Sequence, residues 1–395
     1  MDYREKEMNI STILFATLSS AVKASLMDRE MKNSIHDQTL VQLYKLSKSQ
    51  DLSHLVAQAL DKNGLLPENS EARKRFLQER NMAVYRYEQI QYELDEICRI
   101  LEESKIEHVP LKGSVLRKYY PEPWMRTRCD IDVLVRENSL ETAIHILEKH
   151  GYRYETTEAY DAHIWSPGGV HLELHFNLMA ESIAKKSAKV LSHAWERVQP
   201  CEGWTYRLEF DKAFFYFYHI AHMAKHFLTG GCGIRPFLDV WILNQNAGFK
   251  SKETERLLKE AGVFTFSQNA DKLSGIWFGE AEHDELTKEM EDYIIGAGVY
   301  GSLDNSIALR QVREGGKSKH LLSRIFLPYS ALKRTYPKLK KYPILFPFYQ
   351  VVRWCRILFG KSKKRAFVEL KGIATMKDEK KEYLAELCND LGLKQ

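Results

Sequence analysis

The sequence predicts an α+β protein in which a small mixed β-sheet is flanked by mainly α-helical N- and C-terminal regions. Apolar residues recur at helical spacing before residue 104 and again after residue 211. Between these parts the apolar residues fall into short runs with period two, a pattern that is typical of strands. With 395 residues, the chain exceeds one comfortable domain, so we expect several structural units.

Residues 1–104 form the predicted N-terminal helical region. Ile10, Leu14 and Leu18 keep the spacing of one helix face, and a long amphipathic run covers residues 71–104. Residues 105–200 form the predicted α/β core. Its predicted strands are Ile106–Pro110, Asp130–Val135, Tyr152–Thr156, His163–Trp165 and Val170–Phe176. Its predicted helices are Ser114–Tyr119, with Ser114 as N-cap, Leu140–Lys149 and a third over residues 182–195.

Two further regions follow the core. Residues 205–300 form a predicted helical domain that closes one side of a cleft, with helices at Asp211–Phe227 and Pro236–Asn246. Residues 301–395 form a basic, mainly helical region, and residues 366–391 are predicted to be one charged helix.

The composition predicts a cytoplasmic protein. The first ten residues are rich in charge, so we expect no signal peptide. No apolar run reaches about 18 residues without a charge, so we expect no transmembrane segment. The six cysteines show no metal-ligand spacing, which favours free thiols in a reducing compartment.

Two aspartates stand two residues apart in the second predicted strand. Side chains at i and i+2 of a strand point to one face, so Asp130 and Asp132 are predicted to project together. Such carboxylates repel each other unless a cation lies between them, and oxygen ligands favour Mg²⁺, with Mn²⁺ as an alternative. The other interpretation is a pair of solvent-facing aspartates at a strand end.

Neighbouring segments favour the metal site. Lys112, Gly113 and Ser114 lie between a strand and a helix, where turn N–H groups and a lysine suit a phosphate. The last predicted strand of the core alternates with period two, which puts Glu173 and His175 on the face opposite its apolar side chains.

The order of these motifs resembles the nucleotidyltransferase superfamily typified by DNA polymerase beta. There, a Gly-Ser turn precedes an Asp-h-Asp-h strand, where h is hydrophobic, and a third acidic residue follows on a later strand. The matching segments are Gly113-Ser114, Asp130-Ile131-Asp132-Val133 and Leu172-Glu173-Leu174. More narrowly, the chain resembles the bacterial uncharacterised nucleotidyltransferase family through Leu111-Lys112-Gly113, Tyr119-Tyr120-Pro121, Arg126 and Glu173-Leu174-His175.

The resemblance implies a Mg²⁺-dependent enzyme that moves a nucleotidyl group from an NTP to a hydroxyl acceptor and releases pyrophosphate. The sequence does not identify the acceptor. Asp130, Asp132 and Glu173 are the implied catalytic and metal-binding residues. The implied nucleotide-binding residues are Lys112, Gly113, Ser114, Arg128, His222, His226, Arg235 and Asp239.

Several of these residues have a second interpretation. Arg128 shares the parity of the aspartates, so it either reaches the nucleotide or pairs with those acids. Arg235 and Asp239 are i, i+4, which also suits an ordinary ion pair on one helix face. His222 and His226 also suit a helical core or interface.

A basic block occupies residues 313–365. It contains fifteen lysines and arginines and one acid, Glu314, a local charge of +14, so with a net charge of +5 the remainder carries −9. The block suits the solvated face of a helical region, contact with RNA or DNA, or an anionic membrane surface reached through residues 344–359. A catalytically silent nucleotide-binding or scaffold protein is a further alternative to an enzyme.

Overall fold

The computed structural model describes residues 9–158, 160–179, 184–299, 301–336, 338–359 and 363–393. Five helices precede the first strand, and the longest of them begins where the Ser70 hydroxyl accepts a hydrogen bond from the N–H of Arg73. Their bounds are α1 Ile10–Val22, α2 Arg29–Asn33, α3 Asp37–Ser49, α4 Ser53–Lys62 and α5 Glu71–Glu103. At about 1.5 Å per residue, α5 is about 50 Å long.

A five-stranded mixed sheet forms the middle of the chain. Its elements are β1 His108–Pro110, α6 Gly113–Leu116, β2 Asp130–Val135, α7 Leu140–Lys149, β3 Arg153–Thr157, β4 Asp161–Trp165 and β5 His171–His175. The strand order is β1-β2-β5-β4-β3. Strands β2 and β5 run parallel, whereas the other neighbours are antiparallel. The predicted α+β class is therefore confirmed, and α7 has the predicted bounds.

The two faces of the sheet differ in chemistry because polar and apolar residues alternate along β2, β4 and β5. On one face Ile131, Leu172 and Ile164 are fully buried, and they pack against apolar residues in the second half of α5, including Ile97 and Leu101. The other face carries the acidic and histidine side chains of the same strands. The pleat thus fixes the polar groups on one surface, with a hydrophobic core behind them.

Helices and one short ladder complete the described fold. A helix and two strands come first, at α8 Lys185–Leu191, β6 Val198–Pro200 and β7 Leu208–Phe210. The middle helices are α9 Lys212–Leu228, α10 Arg235–Asn244, α11 Lys252–Glu260, α12 Phe264–Phe278 and α13 Glu285–Ala297. The last are α14 Leu303–Arg313, α15 Lys317–Ile325, α16 Tyr329–Thr335, α17 Lys338–Lys341, α18 Phe346–Phe359, α19 Lys363–Thr375 and α20 Asp378–Asp390.

One hydrophobic core joins the N-terminal helices to the helices after the sheet. Leu14, Leu55, Phe214, Phe237 and Phe266 belong to this single cluster, and each is at most 1 % exposed. The predicted helices α9 and α10 are present, and the Asp211 carboxylate caps α9 by accepting from the N–H of Phe214. Among the described residues, no helix combines the length and apolar character needed to cross a membrane.

Two local predictions were wrong, and one element was not predicted. Ser114 is not an N-cap, since α6 begins one residue earlier, after Lys112. The charged tail is two helices, α19 and α20, separated at Met376 and Lys377, and the acidic Asp378 and Glu379 suit the start of a new helix. The short ladder of β6 and β7 was not predicted. Part of the predicted helix over residues 182–195, together with Pro337 and Lys361 of the basic block, lies outside the described residues.

Candidate active site

The polar face of the sheet brings together residues from three strands. In the parallel pair, Asp132 lies opposite Glu173 and Asp130 lies opposite His171. In the next antiparallel pair, His163 lies opposite Glu173. Because paired residues point to the same face, these side chains form one continuous polar surface.

Asp132 is the most heavily contacted carboxylate of this surface. It is 1 % exposed, and its Oδ1 accepts hydrogen bonds from Lys112 Nζ at 2.7 Å and from His175 Nε2 at 2.8 Å. The guanidinium of Arg128 forms an ion pair with Oδ2 of the same residue. Since a carboxylate only accepts hydrogen bonds, His175 carries its proton on Nε2. Lys112 and Arg128 therefore neutralise this buried charge, and His175 helps to orient it.

Arg128 bridges the two aspartates and the turn after β1. Its guanidinium lies 3.3 Å from Oδ1 of Asp130 and donates to the Ser114 hydroxyl at 3.0 Å and to the Leu111 carbonyl at 3.2 Å. Gly113 gives the Arg128 side chain its space, because a Cβ on this glycine would lie 2.4 Å from Arg128 Cδ. The cation between the two aspartates is therefore this guanidinium.

Lys112 reaches the site from a strained backbone. Its φ angle is +49°, in a region that residues with a Cβ rarely adopt, and its side chain is 23 % exposed. The N–H of the preceding residue, Leu111, donates to the backbone carbonyl of Asp132 at 2.9 Å. The turn is thereby held against β2, and Lys112 keeps its ammonium on the Asp132 carboxylate.

The charges around the site shift the titration of its acids and of its histidine. Burial would raise the pKa of Asp130, but the positive charges of Arg128 and Lys112 outweigh it and hold the pKa below its usual value. Interaction with the imidazole of His175 holds the pKa of Glu173 below its usual value. Burial lowers the pKa of His175 itself. At neutral pH the site therefore holds ionised carboxylates beside a neutral imidazole.

Helix α9 lies across from this polar face. Burial, followed by the positive charges of His226, Lys112 and Lys225, lowers the pKa of His222 well below its usual value. The Nε2 atoms of His222 and His226 are 3.2 Å apart, one helical turn from each other. Lys225 places its ammonium 4.9 Å from the ring centre of Tyr160, next to β4. These histidines and this lysine form the wall that faces Lys112.

Comparison with family models gives one match, over residues 37–279, to a family described as uncharacterised nucleotidyltransferase. The match covers more than half of the chain, including the sheet, α9 and α10. The chain belongs to this nucleotidyltransferase family. Comparison with curated proteins and with solved structures gives no match. Family membership supports nucleotidyl transfer as the general activity.

The fold brings most of the predicted site residues together. Asp130, Asp132, Glu173 and Lys112 interact on the sheet face, and Arg128 links the two aspartates to Ser114. The groups that could hold a metal include Asp132, Glu173 and His175, whose ligand atoms lie within 4.8 Å of one another. Two of these three donors are carboxylates, so the set fits a divalent cation that accepts oxygen ligands.

Two of the predicted site residues lie elsewhere. Asp239 is fully buried and does not pair with Arg235, but accepts two hydrogen bonds from Arg126, at 2.7 and 2.8 Å, and one from Tyr120 at 2.7 Å. Arg235 instead donates to the backbone and carboxylate of Asp51 and to the Thr127 carbonyl. Both residues therefore hold the loop that leads to Arg128.

Sequence reasoning missed two polar residues of β4. Asp161 and His163 lie on the same face as Glu173 and His175, with 3.7 Å between Asp161 Oδ2 and His175 Nδ1. The spacing of Asp161 and His163 repeats the two-residue spacing of Glu173 and His175, so the signal was present in the sequence. It was overlooked because the strand was predicted to begin only at His163.

Proposed function

We propose that this protein transfers a nucleotidyl group from a nucleoside triphosphate to a hydroxyl-bearing acceptor and releases pyrophosphate. The observation that carries the proposal is the register of the parallel strands, which sets Asp132 beside Glu173, with Asp130 one pleat away. Family membership supports the same reaction type. The acceptor is identified only by its chemistry, as a hydroxyl group.

We propose Asp130, Asp132 and Glu173 as ligands of Mg²⁺, with Mn²⁺ as the alternative. Bound there, the ion would neutralise the triphosphate and lower the pKa of the acceptor hydroxyl. Lys112 Nζ already occupies Oδ1 of Asp132, so a metal ion and this ammonium compete for the same oxygen. An ammonium displaced by the ion would be free to bind the phosphates. The Lys112 side chain is 23 % exposed, so it can reach a ligand that enters from solvent.

The remaining groups position the reactants. Arg128 holds both aspartates in place through its ion pairs with them, and His175 fixes the orientation of the Asp132 carboxylate. The acceptor hydroxyl loses its proton to solvent and its oxygen forms a bond to the α-phosphorus, while the bond from that phosphorus to the oxygen bridging to the β-phosphorus breaks and pyrophosphate leaves. In this proposal Lys112 and the Gly113-Ser114 turn face the leaving phosphates, and His222 and His226 contact the nucleotide from α9. Arg235 and Asp239 contribute indirectly, because they hold the loop that positions Arg128.

Pyrophosphate release from each of the four NTPs with Mg²⁺ or Mn²⁺ tests the proposal. Asp130→Asn should lower release at least about a hundredfold, because a metal ligand is lost. Asp130 is 40 % exposed, so its thermal melt should stay close to that of the parent chain. Asp304→Asn changes an exposed aspartate of α14 and is the matched control. NTP binding without pyrophosphate release from the parent chain would favour a silent nucleotide-binding protein instead.

A second candidate function rests on α18, whose apolar face points to solvent. Phe348, Val351, Cys355 and Phe359 are three or four residues apart and thus share one face of the helix. All four are exposed, with 60 % for Phe348, 51 % for Val351 and 88 % for Phe359. A surface helix usually turns such a face inward, so this arrangement marks an interaction surface.

The opposite side of α18 binds the rest of the protein through polar groups. Arg353 donates to the carbonyls of Ile325 and Arg324 at 3.0 and 2.7 Å, and Trp354 Nε1 donates to the same Ile325 carbonyl at 2.8 Å. Gln350 donates to the carbonyl of Leu327. These bonds attach the helix with its apolar face outward.

We propose that this outward face binds an anionic membrane surface. Exposed lysines at positions 338, 340 and 341 precede α18 in the chain, and the exposed Arg356 lies on α18 itself, in a block with a local charge of +14. Apolar side chains that enter the acyl boundary, with cations that meet lipid headgroups, are the pattern of an interfacial helix. Nucleic acid would use the cations and stack bases on aromatic rings, but it gives no reason for the exposed aliphatic side chains of Ile344 and Val351.

Sedimentation with vesicles tests the membrane proposal. The full chain should sediment with phosphatidylserine-containing vesicles and much less with phosphatidylcholine alone. The triple variant Phe348→Ser, Val351→Ser, Phe359→Ser should reduce the partition coefficient at least about tenfold. The matched control replaces Leu26, Tyr85 and Tyr92 by serine, because these large apolar side chains are also more than half exposed. Equal sedimentation of both triple variants, or binding to RNA but not to vesicles, would contradict the proposal.

A further inference from the structure

A second group of metal-ligating side chains lies on the polar face, one strand further from the aspartates. His163 of β4 and His171 and Glu173 of β5 each offer a ligand atom, and these atoms all lie within 4.8 Å of one another. We propose that these three residues bind a borderline divalent cation of the Zn²⁺ type. Nucleotidyl transfer does not require this site, although Glu173 belongs to both sets of ligands.

The geometry of the two imidazoles supports a shared ion. His163 Nδ1 and His171 Nε2 face each other at 3.0 Å, and the two rings are stacked within 12° of parallel. Two nitrogens bound to one tetrahedral Zn²⁺, each at about 2.0–2.1 Å, lie about 3.3 Å apart. The observed separation is close to that distance, so binding requires only a small opening of the pair.

Carboxylates lie near the ring nitrogen of His163 that faces away from His171, as they usually do behind metal-bound imidazoles. Its Nε2 is buried without a hydrogen-bond partner among the described residues, and it points towards Oδ1 of Asp161 at 3.5 Å and Oε1 of Glu158 at 3.8 Å. A proton on Nε2 would be drawn to these carboxylates, which leaves the Nδ1 lone pair directed at His171. A carboxylate behind a histidine fixes its tautomer and strengthens it as a ligand.

The ring of His171 is also held in place. The Trp165 ring lies against it, with 4.8 Å between the ring centres. The ring can therefore present Nε2 to the ion without first being ordered, which favours binding because less side-chain freedom is lost.

The donor set selects the kind of ion. Two imidazole nitrogens and one carboxylate form a typical Zn²⁺ set, whereas Mg²⁺ prefers oxygen ligands alone. Three protein ligands leave a fourth position open to water or substrate. His171 lies opposite Asp130 in the register of β2 and β5, so an ion here would be next to the aspartates of the candidate active site. The face would then hold two cation sites of different chemistry that share Glu173.

Metal titration of the full chain tests this inference. Protein stripped with a chelator is titrated with Zn²⁺ by calorimetry and with Co²⁺ by visible absorption, in excess Mg²⁺. We expect one equivalent to bind and Co²⁺ to show the intense absorption of a site with low coordination number. His163→Ala and His171→Ala should each weaken Zn²⁺ binding at least about tenfold. His150→Ala is the matched control, because the His150 ring is exposed and forms a hydrogen bond with the backbone carbonyl of Ile146, away from the three proposed ligands.

The outcomes separate this inference from the transferase proposal. Asp130→Asn should lose pyrophosphate release but keep Zn²⁺ binding, because Asp130 is not one of the three ligands. Thermal melts of the metal-free histidine variants show whether they fold, and Glu173→Gln provides a second ligand variant if one alanine variant does not. Unchanged Zn²⁺ affinity in folded His163 and His171 variants would overturn the metal site and leave a hydrogen-bonded pair of neutral histidines. Complete displacement of Zn²⁺ by Mg²⁺ would overturn it as well.

Discussion

Replacing Asp132 by asparagine should lower the free energy of unfolding by about 3 kcal/mol and also abolish pyrophosphate release. Asp132 is 1 % exposed and accepts from Lys112 and His175 while it pairs with Arg128. Removing its charge leaves the guanidinium of Arg128, which is 6 % exposed, with Asp130 as its remaining carboxylate. Breaking a buried ion pair from one side typically costs about 3–5 kcal/mol. Urea unfolding with and without Mg²⁺ measures the change.

Asp130→Asn is the matched comparison for this prediction. Both aspartates lie on β2 and contact the same arginine, but Asp130 is 40 % exposed, so its replacement should cost less than about 1 kcal/mol. If Asp132 were only a metal ligand, the two variants would show equal stability without metal. A melt of Asp132→Asn that coincides with that of Asp130→Asn would therefore contradict the structural role of Asp132.

Acidification should destabilise the fold between about pH 6.5 and pH 4, and His54 and His108 should each contribute to the loss. These rings are 4 % and 0 % exposed, and each donates one hydrogen bond to a backbone carbonyl, of Met125 and Ile106 respectively. Burial lowers the pKa of both to about 4. The unfolded chain then binds protons first as the pH falls, so stability is fully present above pH 6.5 and is lost towards pH 4. The loss is about 2 kcal/mol per ring by about pH 4.5.

Urea unfolding at several pH values measures this dependence. His108→Gln removes one titrating ring and should flatten the decline between pH 6.5 and pH 4.5, although it lowers stability at neutral pH. The exposed His193 provides the control, since His193→Gln should leave the slope unchanged. His175, His219 and His222 also have pKa values lowered by burial and act in the same direction. A stability that is flat over this range would contradict the assignment of buried neutral rings.

Local sequence patterns predicted the parts of the fold that depend on short-range periodicity. The period-two runs around Asp132 and Glu173 predicted two strands with their acids on the polar face; the structure confirms both strands and shows, in addition, that they pair. The 3.6-residue pattern predicted the full length of α5 and the bounds of α7. Such patterns can be recognised in the sequence because the burial of side chains repeats with the period of the helix or strand. The roles of these acids in catalysis remain predictions.

Contacts between distant segments could not be predicted from local sequence patterns. Arg126 and Asp239 are 113 residues apart, and the i, i+4 spacing of Arg235 and Asp239 suggested a different pair. Buried arginine and aspartate residues pair with whichever partner the tertiary fold supplies, and no local period encodes that choice. The break between α19 and α20 was missed for a related reason, because helical periodicity continues across it while only two residues leave the helix.

The parallel pairing of β2 with β5 has a consequence for the order in which the chain folds. Strands β3, β4 and β5 are joined by short connections and pair antiparallel, so they can form as a local unit. The contact between His175 and Asp132 closes a loop of 43 residues and costs more chain entropy. We therefore expect Asp132 on β2 and Glu173 on β5 to belong to separately formed pieces of structure. The contact between them should form late in folding. A folding intermediate would then already hold the ligands of β4 and β5, including Glu173, but not yet the pairing of Glu173 with Asp132.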